Sequence, residues 1–246
     1  MSNKTKRVLL IVEGADTEVR LFEKFYTLYG KDNVDIISFG GGEIFVFYDK
    51  LKMYLETDSL YDLHIDFPLF FKDYTKREFS LNNEDFTDRI LVFDFEPHSD
   101  KFDSDILIEM MEVFSDSTQK GKLFLNYPMV ESFKDMENLD DKDFHKSIRT
   151  LEESRDYKKH VGYKSRNNKI SDIRKIGVEE GNKLLSIHKE KLDAIISSDI
   201  VDQESQYLDL LQKQCDKIKF EQSIWVLNTG ILHLLEEYGP LQTSDI

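Results

Sequence analysis

Carboxylates that follow short apolar runs are the residues of this sequence best suited to chemistry. Glu13, Asp94 and Glu131 each come at or just past the end of an apolar run. Glu96 lies two residues beyond Asp94, so in a strand both side chains are expected to point to the same side. Neighbouring strands of a sheet lie about 4.8 Å apart, so residues at equivalent ends of parallel strands come close together. Carboxylates gathered in this way raise one another's pKa values unless a cation neutralises them. The pattern therefore predicts a site for a hard, oxygen-ligated ion such as Mg²⁺, or Mn²⁺ in its place.

The elements that must position these acids follow a βαβ pattern in the first half of the chain. Continuous apolar runs predict buried strands of a mostly parallel sheet at 8–12, 34–39, 90–93 and 122–126. Apolar residues at helical spacing predict flanking helices near 19–28, 43–55 and 104–114. The aromatic stretch 64–74 is ambiguous between a strand and a packed loop. The fold class that this order predicts is α/β.

The second half of the chain is polar and has the spacing of helices. Helices are predicted near 134–153, 169–190, 203–219 and 221–237. This change of texture predicts a catalytic domain over 1–135 and a helical C-terminal extension over 136–246. One continuous domain fits the same pattern, because 246 residues suffice for one large domain or two small ones.

Composition narrows the class of protein. No window of about 18 uninterrupted apolar residues occurs, and the N-terminus lacks the apolar core of a signal peptide, so we expect a cytoplasmic protein without membrane association. The single cysteine, Cys215, excludes an intrachain disulfide and disfavours a cysteine-based metal cluster. Any metal is therefore expected to be held by oxygen ligands.

Basic residues are concentrated in one part of the chain. The formal net charge of −15 argues against nucleic-acid binding over the whole surface. Residues 155–175, here called the basic segment, nevertheless contain eight Lys and Arg against two Asp, a local balance of +6. We expect this segment to bind nucleic-acid backbone through Lys158, Lys159, Lys164 and Arg166, with Tyr157, Tyr163 and His160 available for stacking. Two alternatives stay open, a solvated polar connection and a contact with the acidic face of a second copy in a homodimer.

His98 is an auxiliary candidate because it follows the acidic pair Asp94 and Glu96 closely. A histidine at this place could approach a phosphate or a metal-bound water. The alternative is an ordinary loop residue.

Two of these motifs resemble a known family. The stretches VLLIVEG (residues 8–14) and ILVFDFE (90–96) resemble a TOPRIM domain, in which one strand ends in Glu-Gly and a later strand ends in Asp-x-Asp. The stretches EGADTE (13–18) and NYPMVES (126–132) are similar to the TOPRIM nucleases of bacterial phage defence. Those are the small stand-alone nucleases paired with an ABC-type ATPase, and the nuclease half of OLD-family proteins. The resemblance covers residues 7–135.

The resemblance implies a Mg²⁺-dependent nuclease that cleaves phosphodiester bonds in DNA or RNA, acting as the toxic effector of an abortive-infection system. It also implies an ABC-type ATPase as partner. Glu13 would be the general base or a metal ligand, and Asp94 the principal ligand. Glu96, Glu18 and Glu131 would be supporting ligands. Glu96 departs from the family pattern, because it stands where the second Asp of Asp-x-Asp is usual.

Two other functions remain open at this point. One is a TOPRIM domain with a different phosphotransfer activity, as in primases and topoisomerases. The other is a non-catalytic regulatory or binding module, in which the acids only stabilise the fold.

Overall fold

The computed structural model of the chain describes residues 6–40, 42–57, 59–61, 64–75, 81–196 and 203–242. The strands, in chain order, are β1 (Val8–Val12), β2 (Val34–Ser38), β3 (Asp88–Asp94), β4 (Ser115–Asp116), β5 (Gly121–Tyr127), β6 (Ile148–Thr150), β7 (Ser223–Trp225) and β8 (Leu227–Asn228). The α-helices are α1 (Thr17–Leu28), α2 (Ile44–Leu55), α3 (Phe67–Thr75), α4 (Ser104–Val113), α5 (Leu151–Arg155), α6 (Tyr157–Lys164), α7 (Val178–Ile195), α8 (Gln203–Glu221) and α9 (Leu232–Tyr238).

The main sheet has the strand order β2-β1-β3-β5-β4, and β8 pairs with β5 beside this path. β2, β1, β3 and β5 are parallel, whereas β4 and β8 run antiparallel to β5. All residues of β1 and β3 are buried, as expected of strands covered on both faces. The α/β class and the mostly parallel sheet with flanking helices are therefore confirmed.

Helices cover both faces of the sheet. On one face, Phe22 of α1 and Phe124 of β5 both pack against His233 of α9, and α7 packs on α9. On the other face, Phe93 of β3 contacts Phe47 of α2, which in turn packs against the aromatic side chains of α3. None of the helices in the described part of the chain combines the length and the apolar character needed to cross a bilayer.

The prediction for the stretch 64–74, either a strand or a packed loop, is wrong, because the larger part of the stretch forms α3. Phe67, Phe70 and Phe71 are spaced for one helical face, and all three are buried. Pro68 stands in the first turn of the helix, where its missing amide costs no hydrogen bond. Packing of that aromatic face against Phe47 of α2 and against Phe114, rather than polarity, decides the structure here.

The helix predicted over 134–153 is wrong. The structure instead has short 3-10 turns at Val130–Lys134 and Phe144–Lys146, then β6 and the five-residue α5. The helix predicted over 169–190 begins later, as α7, after two further 3-10 turns. The helix over 203–219 is confirmed as α8.

The helix predicted over 221–237 is wrong in its first half, where the chain forms β7 and β8. β7 pairs with β6, and β8 pairs with the carboxyl end of β5. β6 and β7 lie about 75 residues apart in sequence, and β5 and β8 about 100 residues apart. Local periodicity cannot reveal pairings between such distant segments. The division into 1–135 and 136–246 stays a prediction, but the second segment adds a strand to the main sheet and is not wholly helical.

The segment after β8 is seated tightly against the main sheet. The Gly230 amide donates to the Asn126 Oδ1 at 3.1 Å, and the Thr229 hydroxyl donates to the Leu125 carbonyl at 2.7 Å. A Cβ added at Gly230 would lie 2.7 Å from the Val92 Cγ1 and 3.0 Å from the Asn126 Oδ1. Only glycine fits here without a shift of β3 or β5.

We therefore expect Gly230→Ala to lower the free energy of unfolding by about 1 to 3 kcal/mol, because it overpacks the interface with the sheet. Gly162→Ala is the matched control, because a Cβ at this helical position would meet nothing within 4 Å. The control should leave stability unchanged or raise it by up to about 1 kcal/mol. Urea denaturation followed by circular dichroism measures both. Equal stability of the two variants would contradict the close packing at Gly230.

Candidate metal centre

The predicted acids meet where the chain changes direction across the sheet. From β1 the chain passes to β2 on one side, and β3 then returns to the other side of β1. In open α/β sheets, such a change of direction leaves a crevice outside the carboxyl ends of the strands, in which ligands bind. Glu13 directly follows β1, and Asp94 is the last residue of β3. Both acids therefore stand at this crevice.

Glu13, Asp94 and Glu96, here called the carboxylate triad, each place one carboxylate oxygen within 4.8 Å of the others. The Asp94 amide donates a hydrogen bond to the Glu13 Oε2 at 3.2 Å. The Glu13 amide donates to the Val92 carbonyl at 3.2 Å, which extends the pairing of β1 with β3 by one residue. The first two members of the triad are therefore fixed by the sheet itself.

Glu96 reaches the triad through a turn and not through the sheet. β3 ends at Asp94, and Glu96 has a φ of 50°, in the left-handed region that non-glycine residues rarely adopt. Strand alternation predicts that Asp94 and Glu96 point to the same side. Glu96 does lie near Asp94, but the turn places it there and strand alternation does not. A backbone conformation of this kind costs about 1 to 3 kcal/mol and is often found at functional sites.

Burial and mutual repulsion raise the pKa values of all three carboxyl groups. Burial, opposed in part by the Asp94 amide and reinforced by the charge of Glu96, raises the pKa of Glu13 to about 8. The pKa of Asp94 is raised well above its usual value by burial and then by Glu13. Burial and the charge of Glu43 raise the pKa of Glu96 to about 7. Without a cation the triad therefore favours the protonated, neutral carboxyl groups near neutral pH, and a bound cation would favour their ionised form.

Glu43, just before α2, is a neighbour of the triad that the sequence pattern did not reveal. Its carboxylate raises the pKa values of both Glu13 and Glu96. It also accepts a hydrogen bond from the Ser99 hydroxyl, in the loop that follows Glu96. No signal in the sequence could have found it, because it follows a glycine-rich turn and not an apolar run.

Glu18 lies beside the triad but serves the backbone. Its buried carboxylate accepts a hydrogen bond from the Gly14 amide at 2.9 Å. A Cβ added at Gly14 would lie 2.6 Å from both Glu18 carboxylate oxygens, so the glycine makes room for this folded-back side chain. Glu18, predicted as a supporting metal ligand, is not among the acids whose oxygens cluster within 4.8 Å.

Glu131 is also outside the triad, and a lysine compensates its charge. It lies in the 3-10 turn after β5, and its Oε1 pairs with the Lys158 Nζ at 3.1 Å. The Glu131 side chain is 4% exposed, whereas the Lys158 side chain is 74% exposed. Lys158 is also close enough to Glu18 and Asp94 for both to raise its pKa. The lysine of the basic segment nearest to the crevice therefore faces the acids themselves.

Asn126 is a second residue of the site that the sequence pattern did not single out for chemistry. It pairs with Asp94 across β3 and β5, and its Nδ2 donates to the Asp94 Oδ1 at 3.4 Å. Its Oδ1 accepts from the Gly230 amide, which fixes the orientation of the amide group. Asn126 is fully buried, so its hydrogen bond holds the Asp94 carboxylate in place from the interior of the protein.

The other predicted site residues lie away from the triad or use their charges elsewhere. His98 forms a hydrogen bond between its Nε2 and the Ser154 hydroxyl at 2.5 Å, and burial together with Arg155 lowers its pKa. The Lys164 Nζ pairs with the Asp135 Oδ1 at 3.2 Å. Lys159 and Arg166 are exposed.

The triad fits a hard divalent cation. Two oxygens bound to one Mg²⁺ at about 2.1 Å are at most about 4.2 Å apart, so the separations of up to 4.8 Å require only small side-chain rotations. All three donors are carboxylate oxygens, the ligand type that Mg²⁺, Mn²⁺ and Ca²⁺ prefer. The raised pKa values point the same way, because a bound cation would offset both the burial and the charge repulsion that cause them.

Comparison of the chain with protein-family models, with curated proteins and with solved structures found no match.

We expect the wild-type protein to bind Mn²⁺ and Mg²⁺, and Glu13→Gln or Asp94→Asn to weaken binding by more than about tenfold. Asn126→Ala, which leaves every carboxylate in place, should weaken binding by about tenfold through loss of Asp94 orientation. Isothermal titration calorimetry with Mn²⁺ measures the affinities, and Glu23→Gln on the exposed side of α1 is the control. Wild-type affinity in both triad variants would show that the cation lies elsewhere.

A second expectation concerns the metal-free protein. The pKa of Glu13 rises on folding from 4.5 to about 8, so between these values the folded state keeps a proton that the unfolded chain has released. Raising the pH then favours unfolding. Glu13→Gln should therefore match the wild type near pH 4 and become more stable than it by up to about 1 kcal/mol per pH unit between pH 5 and 8. Urea denaturation in EDTA tests this, and a constant difference over that range would contradict it.

Proposed function

We propose that this protein is a Mg²⁺-dependent nuclease of the TOPRIM type. The observation that carries the proposal is the carboxylate triad at the change of strand direction, with oxygens within 4.8 Å and with raised pKa values. The resemblance of VLLIVEG and ILVFDFE to the TOPRIM motifs supports it, because those motifs contribute the same three residues. Phosphodiester substrates suit such a centre, since Mg²⁺ is commonly bound by one or two carboxylates together with phosphate oxygens.

Each residue of the centre has a distinct task in this proposal. When bound, Mg²⁺ would supply Lewis-acid stabilisation of the charge that develops on the phosphate. Asp94, held by Asn126, and Glu96 would hold the ion. Glu13 would accept the proton of the attacking water, as its position beside the Asp94 amide and a pKa above the usual carboxyl range allow.

Lys158 would contact a phosphate of the substrate next to the reacting one. Its side chain is largely exposed, and its ammonium lies 3.1 Å from Glu131 at the rim of the crevice. A polyanion approaching an acidic crevice needs a cation at the entrance, because phosphates and carboxylates repel each other at short range. Glu131 would keep this lysine in place, and Glu18 would keep the turn at Gly14 in place. Neither acid would bind the ion directly.

The biological setting is proposed on the resemblance alone. The TOPRIM nucleases that this sequence resembles act as effectors of abortive infection against phages and work with an ABC-type ATPase. The strongly acidic balance of the chain outside the basic segment offers a surface on which a basic partner could dock. We propose such an ATPase as the partner that restrains or releases the nuclease.

We expect the wild-type protein to cleave DNA or RNA only with Mg²⁺ or Mn²⁺, and Glu13→Gln and Asp94→Asn to lower the rate by about 10²- to 10⁴-fold, because proton transfer or ion binding is lost. Gel assays with single-stranded and duplex DNA and RNA measure cleavage, and Glu23→Gln is the control. Cleavage in EDTA at the rate seen with Mg²⁺, or wild-type rates in both variants, would refute the proposed function.

A further inference from the structure

Most cations of the basic segment are already paired. Five of its eight Lys and Arg residues form ion pairs with carboxylates. The pairs are Lys158 with Glu131, Lys164 with Asp135, Lys169 with Glu180, and both Arg174 and Lys175 with Asp172. The other three, Arg155, Lys159 and Arg166, are exposed, and no carboxylate in the described parts of the chain pairs with them. These three cations are therefore available to a ligand.

The three free cations flank an exposed aromatic ring. Arg155, Lys159 and Tyr163 are four residues apart along α5 and α6, which places them on one side of this nearly continuous helix. The Arg166 amide donates to the Tyr163 carbonyl at 3.3 Å, so Arg166 lies in the turn directly beyond. Tyr163 is 81% exposed, and the space beside Gly162 is open.

The other two stacking candidates of the basic segment are more constrained than Tyr163. Tyr157 is fully buried, and its hydroxyl donates to the Asp135 Oδ2 at 3.0 Å. His160 is hydrogen-bonded through its Nε2 to the Arg149 guanidinium at 2.9 Å. Tyr163 is therefore the tyrosine of the segment whose ring is exposed, and unlike His160 its ring is not held by a hydrogen bond to a neighbouring guanidinium.

Surface depressions lie beside the loop that follows Glu96 and beside the Tyr163 ring. The first is lined by Pro97 and His98, in the loop directly after Glu96, and by Arg155. Two further depressions lie on either side of the Tyr163 ring, and both are also lined by His160 and Arg166. Lys159 lines one of these two. Together the three depressions are lined by five Lys and Arg residues and by the acids Glu137, Glu152 and Asp156, so a chain that passes Arg155 towards Tyr163 would meet a surface with a small excess of positive charge.

We propose that Arg155, Lys159, Tyr163 and Arg166, here called the α6 row, bind a single-stranded segment of the substrate. The Tyr163 ring stacks on an unpaired base, and the three cations contact phosphates. An aromatic side chain stacks on a base only where the base face is uncovered, which excludes the interior of a duplex. The proposal rests on the proposed function, of which it names the substrate class.

Binding in EDTA isolates the α6 row from catalysis. Fluorescence anisotropy with a labelled single-stranded oligonucleotide, as DNA and as RNA, is compared with a blunt duplex of the same sequence. We expect the single strand to bind more tightly than the duplex. Tyr163→Ala should weaken single-strand binding by about tenfold, whereas Tyr163→Phe should retain it. The matched control is Phe220→Ala, because Phe220 is a 73% exposed aromatic residue of α8 outside the row.

The salt dependence tests the cations separately. The double variant Lys159→Gln with Arg166→Gln removes two phosphate contacts, so the slope of log affinity against log salt should flatten by about 1.4 for a single strand. Lys31→Gln is the control, because Lys31 is an exposed lysine beyond α1 that lies over the Tyr238 ring, away from the row. An unchanged slope in the double variant would overturn the role of the cations.

The proposal is overturned if Tyr163→Ala binds single strands like the wild type, if the duplex binds as tightly as the single strand, or if no oligonucleotide binds in EDTA. Failure of the proposed function is a different result. Oligonucleotides that bind through Tyr163 but are not cut with Mg²⁺ would refute the nuclease and leave the α6 row intact. Cutting that is unaffected in rate and KM by Tyr163→Ala would leave the nuclease intact and overturn the row.

Discussion

The mutual repulsion of Glu13, Asp94 and Glu96 is the interaction on which the architecture of this site depends. The sheet brings β1 and β3 side by side, so the acids that end these strands cannot move apart without breaking the strand pairing. Raised pKa values are the response of the metal-free protein to this constraint. A divalent cation would be the alternative response, and it would convert a destabilising arrangement into a binding site.

The surroundings of the triad separate the acids by task. Asn126 gives its amide hydrogen to Asp94 and is itself held by Gly230, which belongs to the segment after β8. Glu18 is folded back onto the Gly14 amide and is not aimed at the triad. Glu131 is matched by Lys158. Of the acids at the site, the triad residues are those whose oxygens lie close enough together to share one ion.

The sequence predicted what local patterns determine. Continuous apolar runs located β1 and β3, and strand ends therefore located Glu13 and Asp94. The sequence predicts a helix where the structure has β8. The pairing of β8 with β5 is a contact between distant parts of the chain, and it produces no periodic pattern in the local sequence. Local patterns also do not predict that Glu43 lies beside the triad or that Lys158 pairs with Glu131, because these contacts join residues that are distant in sequence. Glu96 was expected at the site, but through strand alternation, whereas a left-handed turn places it there.

The uneven distribution of charge along the chain explains how an acidic protein could still bind a polyanion. The count of Lys and Arg in the basic segment overstates its attraction, since five of the eight cations pair with carboxylates of the same chain. Three free cations release few counterions, so electrostatic attraction alone is weak against a net charge of −15. Stacking does not depend on charge and is not screened by salt, so in the proposed binding mode an exposed ring beside those cations would supply the affinity that the cations lack. Such a surface favours a strand whose bases are open and disfavours a duplex, which would bring a second row of phosphates towards the acidic remainder of the surface.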